Sequence, residues 1–378
     1  MGNRLQQFFE FYTDSQEDFI QRLWSLAELE TPTGNKELLD SFAAQYARVL
    51  HPHVDYLDII EGERGAKILA EKGDGEYAVL ILLHMDTVWP VEADNKPPLS
   101  REDSILRGPG VLDMKASLVM TEFFLKALEE LNIELDKKII VLATPDEERG
   151  SQSSVDLIKQ TAKRCDFVLC AETPLPNGNM KIRRKGVGMF RITVEGKESH
   201  AGVNPWDGVN AIHELSLQIA EIMKLDDDKT GTTVNVCQGG GGTASNVIPG
   251  SAWATVDFRA ETLEEAEKVT RTINNLKPKL PGAKLNVSGG INRPPLEKSP
   301  ESERMADIAE AIAKELGHPL GRSSTGGGSD GSFTAAIGIP TLDGIGIYGT
   351  GAHTPDEHIV IDTIAWRTAV FSELIFRI

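Results

Sequence analysis

The sequence predicts an α/β fold with a mostly parallel sheet covered by helices, interrupted by an inserted α+β domain of ferredoxin-like type. Apolar strands without polar alternation are typical of strands covered on both faces, and helices alternate with them along the chain. Near residue 186 the pattern changes to the order βαββαβ. The length of 378 residues also favours two domains over a single core.

The two outer parts of the chain supply the predicted sheet and its helices. Apolar residues at helical spacing predict helices at 18–29, 36–50, 114–131, 303–317 and 361–376. Apolar runs of strand length predict strands at 76–84, 137–144, 165–172 and 339–344. We therefore expect one discontinuous domain made of residues 1–185 and 293–378.

The middle part of the chain supplies the inserted domain, residues 186–292. Its strands are predicted at 185–196, 232–238, 251–260 and 283–289, and its helices at 207–223 and 262–274. The resulting order is that of a ferredoxin-like split βαβ unit.

Charge and composition exclude several classes of partner. The net charge of −18, from 39 basic and 57 acidic side chains, argues against binding to nucleic acid or to an anionic membrane. The three cysteines show no metal-type spacing, which favours reduced thiols in a cytoplasmic protein. The N-terminal stretch lacks the continuous apolar segment of a secretory signal, and no apolar run approaches the ~20 residues that span a bilayer.

Side chains that can bind metals end each of the first three predicted strands. His84 and Asp86 close the first strand, Glu147 and Glu148 the second, and Glu172 the third. Ligands of open α/β sheets bind beyond the carboxyl ends of the strands, so these side chains are expected at one edge of the sheet.

Two further residues lie in glycine-rich segments: Asp113 in "GPGVLDMKAS" and His353 in "GTGAHTPDEH". Imidazole and carboxylate ligands without a thiol suit zinc, and less exclusively manganese or cobalt. Each residue alone has a simpler structural role. The alternatives are a strand-end histidine for His84, a solvated turn for Glu147 and Glu148, a helix cap for Asp113, a partner of Arg183 or Arg184 for Glu172, and a loop histidine for His353. Their coincidence at strand ends and glycine-rich loops favours a metal site.

Nine short motifs occur in one order along nearly the whole chain. They are "HMDTV", "GPGVLDMKAS", "PDEERGS", "AETP", "SHAG", "NVIPG", "DFRA", "TGGGSD" and "GAHTPDEH". In these motifs the chain resembles the di-zinc aminoacylase and carboxypeptidase family of metallopeptidases. It is most similar to the branch of glutamate carboxypeptidases.

The resemblance implies two Zn²⁺ ions per chain, with Co²⁺ or Mn²⁺ as substitutes, and a role for each residue of the set. It implies that His84 and Glu172 bind the first zinc, that Glu148 and His353 bind the second, and that Asp113 bridges both. It also implies that Glu147 is the general base and that Asp86 orients His84.

The resemblance also implies that the inserted domain acts as a lid and forms a homodimer, and it implies roles for residues of that domain. His200 matches a histidine that supports the oxyanion in the active site of the partner subunit. Asn246 and Arg259 match positions that hold the oxyanion or the substrate carboxylate. Taken alone, His200 is an N-cap or loop histidine, and Arg259 is a surface residue of a strand.

The glycine-rich loop at 325–331 is a candidate anion site. It lacks the Gly-Lys-Ser/Thr ending of a P-loop, but backbone N–H groups, including those of Gly327 and Gly328, could form a nest for a substrate carboxylate. Lys185 and Arg293, at the two hinges of the inserted domain, are candidate partners for that carboxylate.

These features predict a metal-dependent exopeptidase or amidohydrolase. A hydroxide that bridges the metals would cleave an amide bond and release a C-terminal amino acid, with glutamate expected. The alternative within the same chemistry is an N-acyl amino acid deacylase of the acetylornithine or succinyl-diaminopimelate type. A non-catalytic binding protein would be expected to lack a ligand or the base, and a nucleotide-dependent enzyme would need a phosphate-binding motif after a strand.

Overall fold

The computed structural model describes residues 2–378, with side chains from Arg4 onwards. The chain divides into two compact units. The first runs to Arg183 and includes Lys298–Thr325 and Ser329–Ile378, whereas the second comprises Arg184–Glu297 and Gly326–Gly328. The catalytic and lid roles expected of the two parts of the chain stay predictions.

The described residues form the following helices and strands. The helices are α1 (Gly2–Asp14), α2 (Gln16–Ala27), α3 (Lys36–Leu50), α4 (Ala116–Glu130), α5 (Val155–Ala162), α6 (Ala211–Ile222), α7 (Leu263–Asn274), α8 (Pro300–Glu315), α9 (Gly331–Ala336) and α10 (Ile364–Arg377). The strands are β1 (Tyr56–Ile60), β2 (Lys67–Lys72), β3 (Tyr77–His84), β4 (Ser100–Glu102), β5 (Ile105–Arg107), β6 (Lys137–Thr144), β7 (Phe167–Cys170), β8 (Met180–Arg184), β9 (Gly186–Glu195), β10 (Ser199–His200), β11 (Thr233–Gly241), β12 (Val247–Ile248), β13 (Ser251–Ala260), β14 (Lys284–Arg293), β15 (Arg322–Thr325), β16 (Thr341–Asp343), β17 (Gly349–Thr350) and β18 (His358–Val360).

The first unit contains a mixed sheet in the order β1-β2-β6-β3-β7-β16-β8-β15. Its centre is parallel, since β3 pairs in parallel with β6 and with β7, and β7 pairs in parallel with β16. The pairs β1–β2, β2–β6 and β16–β8 are antiparallel. The expected α/β fold with a mostly parallel central sheet is confirmed.

Both faces of this sheet are covered, and this explains the apolar runs in the sequence. Val79, Ile81 and Leu83 of β3 point into a core that also contains residues of α4 and α10. Leu80 and Leu82 point to the opposite face, where α5 and α9 contribute. The last residue of the strand, His84, is thereby fixed at the carboxyl edge of the sheet.

The second unit is an antiparallel sheet in the order β11-β13-β9-β14, with α6 and α7 in sequence between its strands. Burial alternates along β9 and β13, so only one face of the sheet is fully covered. Phe190 and Phe258 stack within that core, with their ring centroids 6.0 Å apart. The predicted βαββαβ order of the insertion is confirmed.

The first unit also contains a smaller sheet, in the order β17-β18-β5-β4. Two segments that carry predicted site residues are connected to its strands. The loop from β17 to β18 carries His353, and the segment after β5 leads to Asp113. Between residues 2 and 378 no helix has the length and apolar character needed to cross a membrane.

Candidate active site

Three neighbouring parallel strands bring most of the predicted metal ligands to one edge of the main sheet. His84 is the last residue of β3, and the turn Glu147–Arg149 follows β6. Glu172 lies two residues after the end of β7. Because β6, β3 and β7 are adjacent and parallel, their carboxyl ends meet at this edge.

The first group of possible metal ligands consists of His84, Asp113 and Glu172. Nε2 of His84 lies 3.1 Å from Oδ1 of Asp113 and 3.7 Å from Oε1 of Glu172. One potential ligand atom of each residue lies within 4.8 Å of the others. His84 is buried, and its second ring nitrogen, Nδ1, lies 3.0 Å from the main-chain oxygen of Asp86.

The second group consists of Asp113, Glu148 and His353, so Asp113 belongs to both. Nε2 of His353 lies 3.0 Å from Oδ2 of Asp113 and 3.2 Å from Oε2 of Glu148. The two oxygens of Asp113 thus face different histidines. This is the arrangement that a carboxylate bridging two metal ions requires.

The two ligand groups contain more carboxylates than imidazoles, and this excess of acids affects the pKa values of their members. Burial and the neighbouring Asp113 raise the pKa of Glu148 to about 7. Hydrogen bonds with Asp113 and Glu148 raise the pKa of His353 to about 11. Burial opposes charge on His84, but its hydrogen bonds with Asp113 and Asp86 raise its pKa well above the usual value.

The donor chemistry of the groups fits divalent cations. Among the described residues, only imidazoles form ion pairs with Asp113 and Glu148, so no Lys or Arg neutralises these acids. Imidazole nitrogens and carboxylate oxygens, with one carboxylate shared, suit a two-metal centre of zinc, manganese or cobalt.

Asp86 organises the acidic turn after β6. Its Oδ1 accepts a hydrogen bond from the main-chain N–H of Glu147, and its Oδ2 accepts one from that of Glu148, each at 3.1 Å. The hydroxyl of Thr33 donates to Oδ2 at 2.7 Å. The side chain of Asp86 therefore fixes the backbone that carries Glu147 and Glu148, while its main-chain oxygen contacts His84.

Comparison with known proteins places the chain in a family. Residues 80–377 match peptidase family M20/M25/M40. The chain belongs to this family. The resemblance seen in the motifs is thereby confirmed, and the chain is an M20-type hydrolase of a metal-dependent family.

Two relatives and one solved structure illustrate what the chain is similar to. Carboxypeptidase G2 from Pseudomonas sp. (strain RS-16) is 30% identical over 97% of this chain and 91% of its own length. Succinyl-diaminopimelate desuccinylase from Paracidovorax citrulli (strain AAC00-1) is 30% identical over 74% of this chain and 75% of its own. The YXEP protein of Bacillus subtilis, described as a dinuclear metal-binding peptidase, aligns with a TM-score of 0.69 and 16% identity over 96% of this chain and 98% of its own.

In this M20 family member, Glu357 is a buried site residue that the sequence analysis missed. Its carboxylate accepts hydrogen bonds from the main-chain N–H groups of Gly110, Leu112 and Asp113 at 3.0–3.1 Å and from Nε1 of Trp89 at 2.9 Å. Glu357 therefore holds the segment that presents Asp113. It lies within the motif "GAHTPDEH", which is the signal that could have identified it.

The remaining predicted site residues lie in the second unit of the M20 chain. His200 of β10 is exposed, and β10 pairs with β12. The main-chain N–H of Ala201 donates to the main-chain oxygen of Asn246, so the segments of His200 and Asn246 adjoin. Nδ1 of His200 accepts hydrogen bonds from the N–H groups of Gly202 and Val203, each at 3.1 Å. A neutral His200 therefore carries its proton on Nε2.

The basic candidates of the second unit have partners within that unit. Nε and Nη2 of Arg259 donate to the carboxylate of Asp257 at 2.9 and 3.0 Å. Nζ of Lys185 donates to the main-chain oxygen of Gly231 and pairs with Glu261.

The glycine-rich loop is held by arginines of the second unit. Arg184 donates to the main-chain oxygens of Gly327 and Gly328, at 3.2 and 2.9 Å, and Arg259 to that of Gly326. A Cβ at Gly328 would lie 2.9 Å from Cδ of Arg293, so Arg293 packs directly against the loop.

Proposed function

We propose that the chain is a di-zinc carboxypeptidase that hydrolyses an amide bond and releases a C-terminal amino acid, with glutamate as the preferred product. The observation that carries this proposal is the pair of ligand groups that share Asp113. The similarity to carboxypeptidase G2 along nearly the whole chain supports the substrate class.

In this proposal the first group, His84, Asp113 and Glu172, would hold one ion, and Asp113, Glu148 and His353 the other. When bound, the two ions would polarise the amide carbonyl and lower the pKa of water at the site. Zn²⁺ fits the ligand set best, and Co²⁺ or Mn²⁺ would fit as substitutes. A dinuclear centre in the structurally similar peptidase of Bacillus subtilis supports the count of two.

Glu147 would act as the general base. It would take a proton from the attacking water and transfer it to the nitrogen of the leaving amine, so that the amine departs neutral. Its backbone is fixed by Asp86, which sets the position of its carboxylate relative to the neighbouring ligand Glu148.

His200 of the partner subunit would donate its Nε2 proton to the oxyanion. The two backbone N–H groups at Nδ1 favour the tautomer that makes this donation possible. This role requires a homodimer formed through the lid domain, residues 186–292.

The C-terminal carboxylate of the substrate would bind to basic and amide groups of the second unit. Asn246, Arg259, Arg293, Lys185 and the N–H groups of Gly327 and Gly328 are the proposed partners. Because Lys185 and Arg259 have acidic neighbours in their own unit, the substrate would share them with Glu261 and Asp257 respectively.

The second candidate function is an N-acyl amino acid deacylase. The similarity to a succinyl-diaminopimelate desuccinylase over three quarters of the chain favours it. Both reactions use the same base and the same metal ligands, so the substrates distinguish them.

A combined measurement of metal content and hydrolysis tests the proposal. The purified chain would be loaded with zinc and assayed with benzoyl-glutamate, an N-acetyl amino acid and a plain dipeptide. We expect two ions per chain and release of glutamate from the first substrate. Cleavage of the acetyl substrate alone would favour the deacylase, and a chain that binds no metal would refute both.

A further inference from the structure

An open cleft of about 430 Å³ adjoins the second ligand group within the first unit. Two loops, residues 32–35 and 87–91, form most of its wall, and Glu148 and Arg149 complete it. Glu148 is shared between this cleft and the proposed metal centre. A molecule in the cleft would therefore lie directly beside the reacting groups.

The wall of the cleft is connected to the site through Asp86. One oxygen of this buried carboxylate accepts hydrogen bonds from the hydroxyl of Thr33, which lines the cleft, and from the N–H of Glu148. The side chain of Asp86 thus contacts both the wall of the cleft and the acidic turn, and it fixes the distance between the two.

Arg149 supplies the positive charge of the cleft. In the described part of the chain, residues 2–378, its guanidinium makes no hydrogen bond or ion pair, and no other Lys or Arg lines the cleft. The guanidinium lies against Gly34, where a Cβ would be 3.2 Å from Nη1. Gly34 has a φ of +92°, a left-handed conformation that favours glycine, so this close approach is built into the loop.

The rest of the cleft includes apolar side chains. Val88 and Val91 are 37% and 43% exposed, which is high for residues of this type, and Pro32 and Pro90 flank them. A guanidinium beside an apolar wall matches a ligand with a short methylene chain that ends in a carboxylate, because the planar donor fork of arginine can bind both carboxylate oxygens.

We propose that this cleft is the acyl subsite of the enzyme and that Arg149 selects acyl groups ending in a carboxylate. This inference rests on the proposed function, since it places the acyl side of the scissile amide in the cleft. The preferred substrate would then carry a second carboxylate, at the end of its acyl group, in addition to that of the released amino acid.

Two ligands that differ in one group test this inference. N-glutaryl-glutamate and N-(4-carbamoylbutanoyl)-glutamate have the same shape, but the second ends in a neutral carboxamide. Binding of each would be measured by calorimetry on the zinc-loaded Glu147→Gln chain, in which turnover is suppressed. We expect the carboxylate ligand to bind about tenfold more tightly.

Two double variants complete the binding test. In Glu147→Gln/Arg149→Gln the two ligands should bind with about equal affinity. The control Glu147→Gln/Arg48→Gln removes an exposed charge from α3 and should retain the tighter binding of the carboxylate ligand. Equal affinities in the single variant, no binding of either ligand, or a preference that survives loss of Arg149 would each overturn the inference.

The proposed function is tested separately from this subsite. Release of glutamate from benzoyl-glutamate by the unaltered chain does not depend on a charged acyl group. An enzyme that cleaves benzoyl-glutamate but shows no preference between the two ligands would refute the acyl subsite alone. Loss of metal and of all cleavage would instead refute the proposed function.

Discussion

At the scale of single residues, the acidic turn after β6 depends on one buried carboxylate. Asp86 is fully buried and accepts main-chain hydrogen bonds from both Glu147 and Glu148. Hydrogen bonds to a charged group are worth roughly 1.5–3 kcal/mol each. Asp86 therefore fixes the backbone of a turn that carries two adjacent carboxylates.

The base assignment leads to the first prediction. Glu147→Ala should retain two metal ions, because Glu147 belongs to neither ligand group, and should lose nearly all turnover, by about 100-fold or more. Metal analysis and kcat with benzoyl-glutamate measure the two effects. The exposed Glu130→Ala serves as a control for loss of one carboxylate. A Glu147→Ala chain with near-normal kcat would show that another group takes the proton.

The sequence could indicate the ligand residues, but not all of the residues that hold them in position. His84, Glu148 and Glu172 end or follow apolar strands, so their positions at one edge follow from the strand pattern. Glu357 follows no predicted strand, so only its place in the motif "GAHTPDEH" connects it with the site, and that motif does not show that it is buried. Its burial depends on the return of a distant loop to the segment of Asp113, which a local pattern cannot reveal.

At the scale of elements, the loop from β17 to β18 is tied to the segment before α4. Glu357 of that loop accepts hydrogen bonds from three main-chain N–H groups of residues 110–113 and from Trp89. His353 lies on the same loop and faces Asp113. Glu357, which belongs to neither ligand group, thus positions Asp113 and His353 relative to each other.

This connection predicts that Glu357→Ala weakens metal binding by about 10- to 100-fold, because buried N–H groups lose their acceptor and Asp113 loses its fixed position. Competition with a chelating fluorophore would measure the affinity, with His353→Ala as a reference for loss of one ligand. Asp356→Asn, an exposed neighbour on the same loop, should have little effect. Unchanged metal affinity in Glu357→Ala would contradict the positioning role.

Within the second unit, Glu214 joins α6 to the segment after α7. It is buried and accepts hydrogen bonds from Gln218 and from the main-chain N–H groups of Lys279 and Leu280. Burial alone would raise the pKa of Glu214, but these hydrogen bonds outweigh it and lower the pKa. The carboxylate form is therefore the one that stabilises the folded unit.

Glu214→Gln should destabilise this unit by about 1–3 kcal/mol at pH 7, because an amide N–H would face backbone donors. Since the folded-state pKa is lowered, the stabilising effect is complete above the unfolded pKa of about 4.3 and is lost as the pH falls through the folded value. Hydrogen exchange at Lys279 and Leu280 should therefore be faster in the variant at pH 7. Glu195→Gln, an exposed site of β9, is the control. Equal exchange rates in the two variants would contradict this role.

At the scale of the whole molecule, the sequence predicted the inserted unit but not all of its residues. The order βαββαβ indicates an insertion without knowledge of any contact. Gly326–Gly328 nevertheless group with the second unit, although the preceding and following residues belong to the first. The hydrogen bonds from Arg184 and Arg259 explain this grouping, and such contacts over more than sixty residues of chain leave no local pattern.

The proposed dimer makes a prediction that only the whole assembly can test. If His200 acts in the site of the partner subunit, Glu147→Ala and His200→Ala each inactivate a homodimer through different residues. Unfolding and refolding an equal mixture would form heterodimers in about half of the molecules, each with one intact site, so about a quarter of wild-type activity should return. Separately refolded variants, mixed afterwards, provide the control. No recovery from the co-refolded mixture, with heterodimers verified by mass spectrometry, would show that His200 acts within its own chain. A His200→Ala homodimer that is active by itself would show that His200 has no catalytic role.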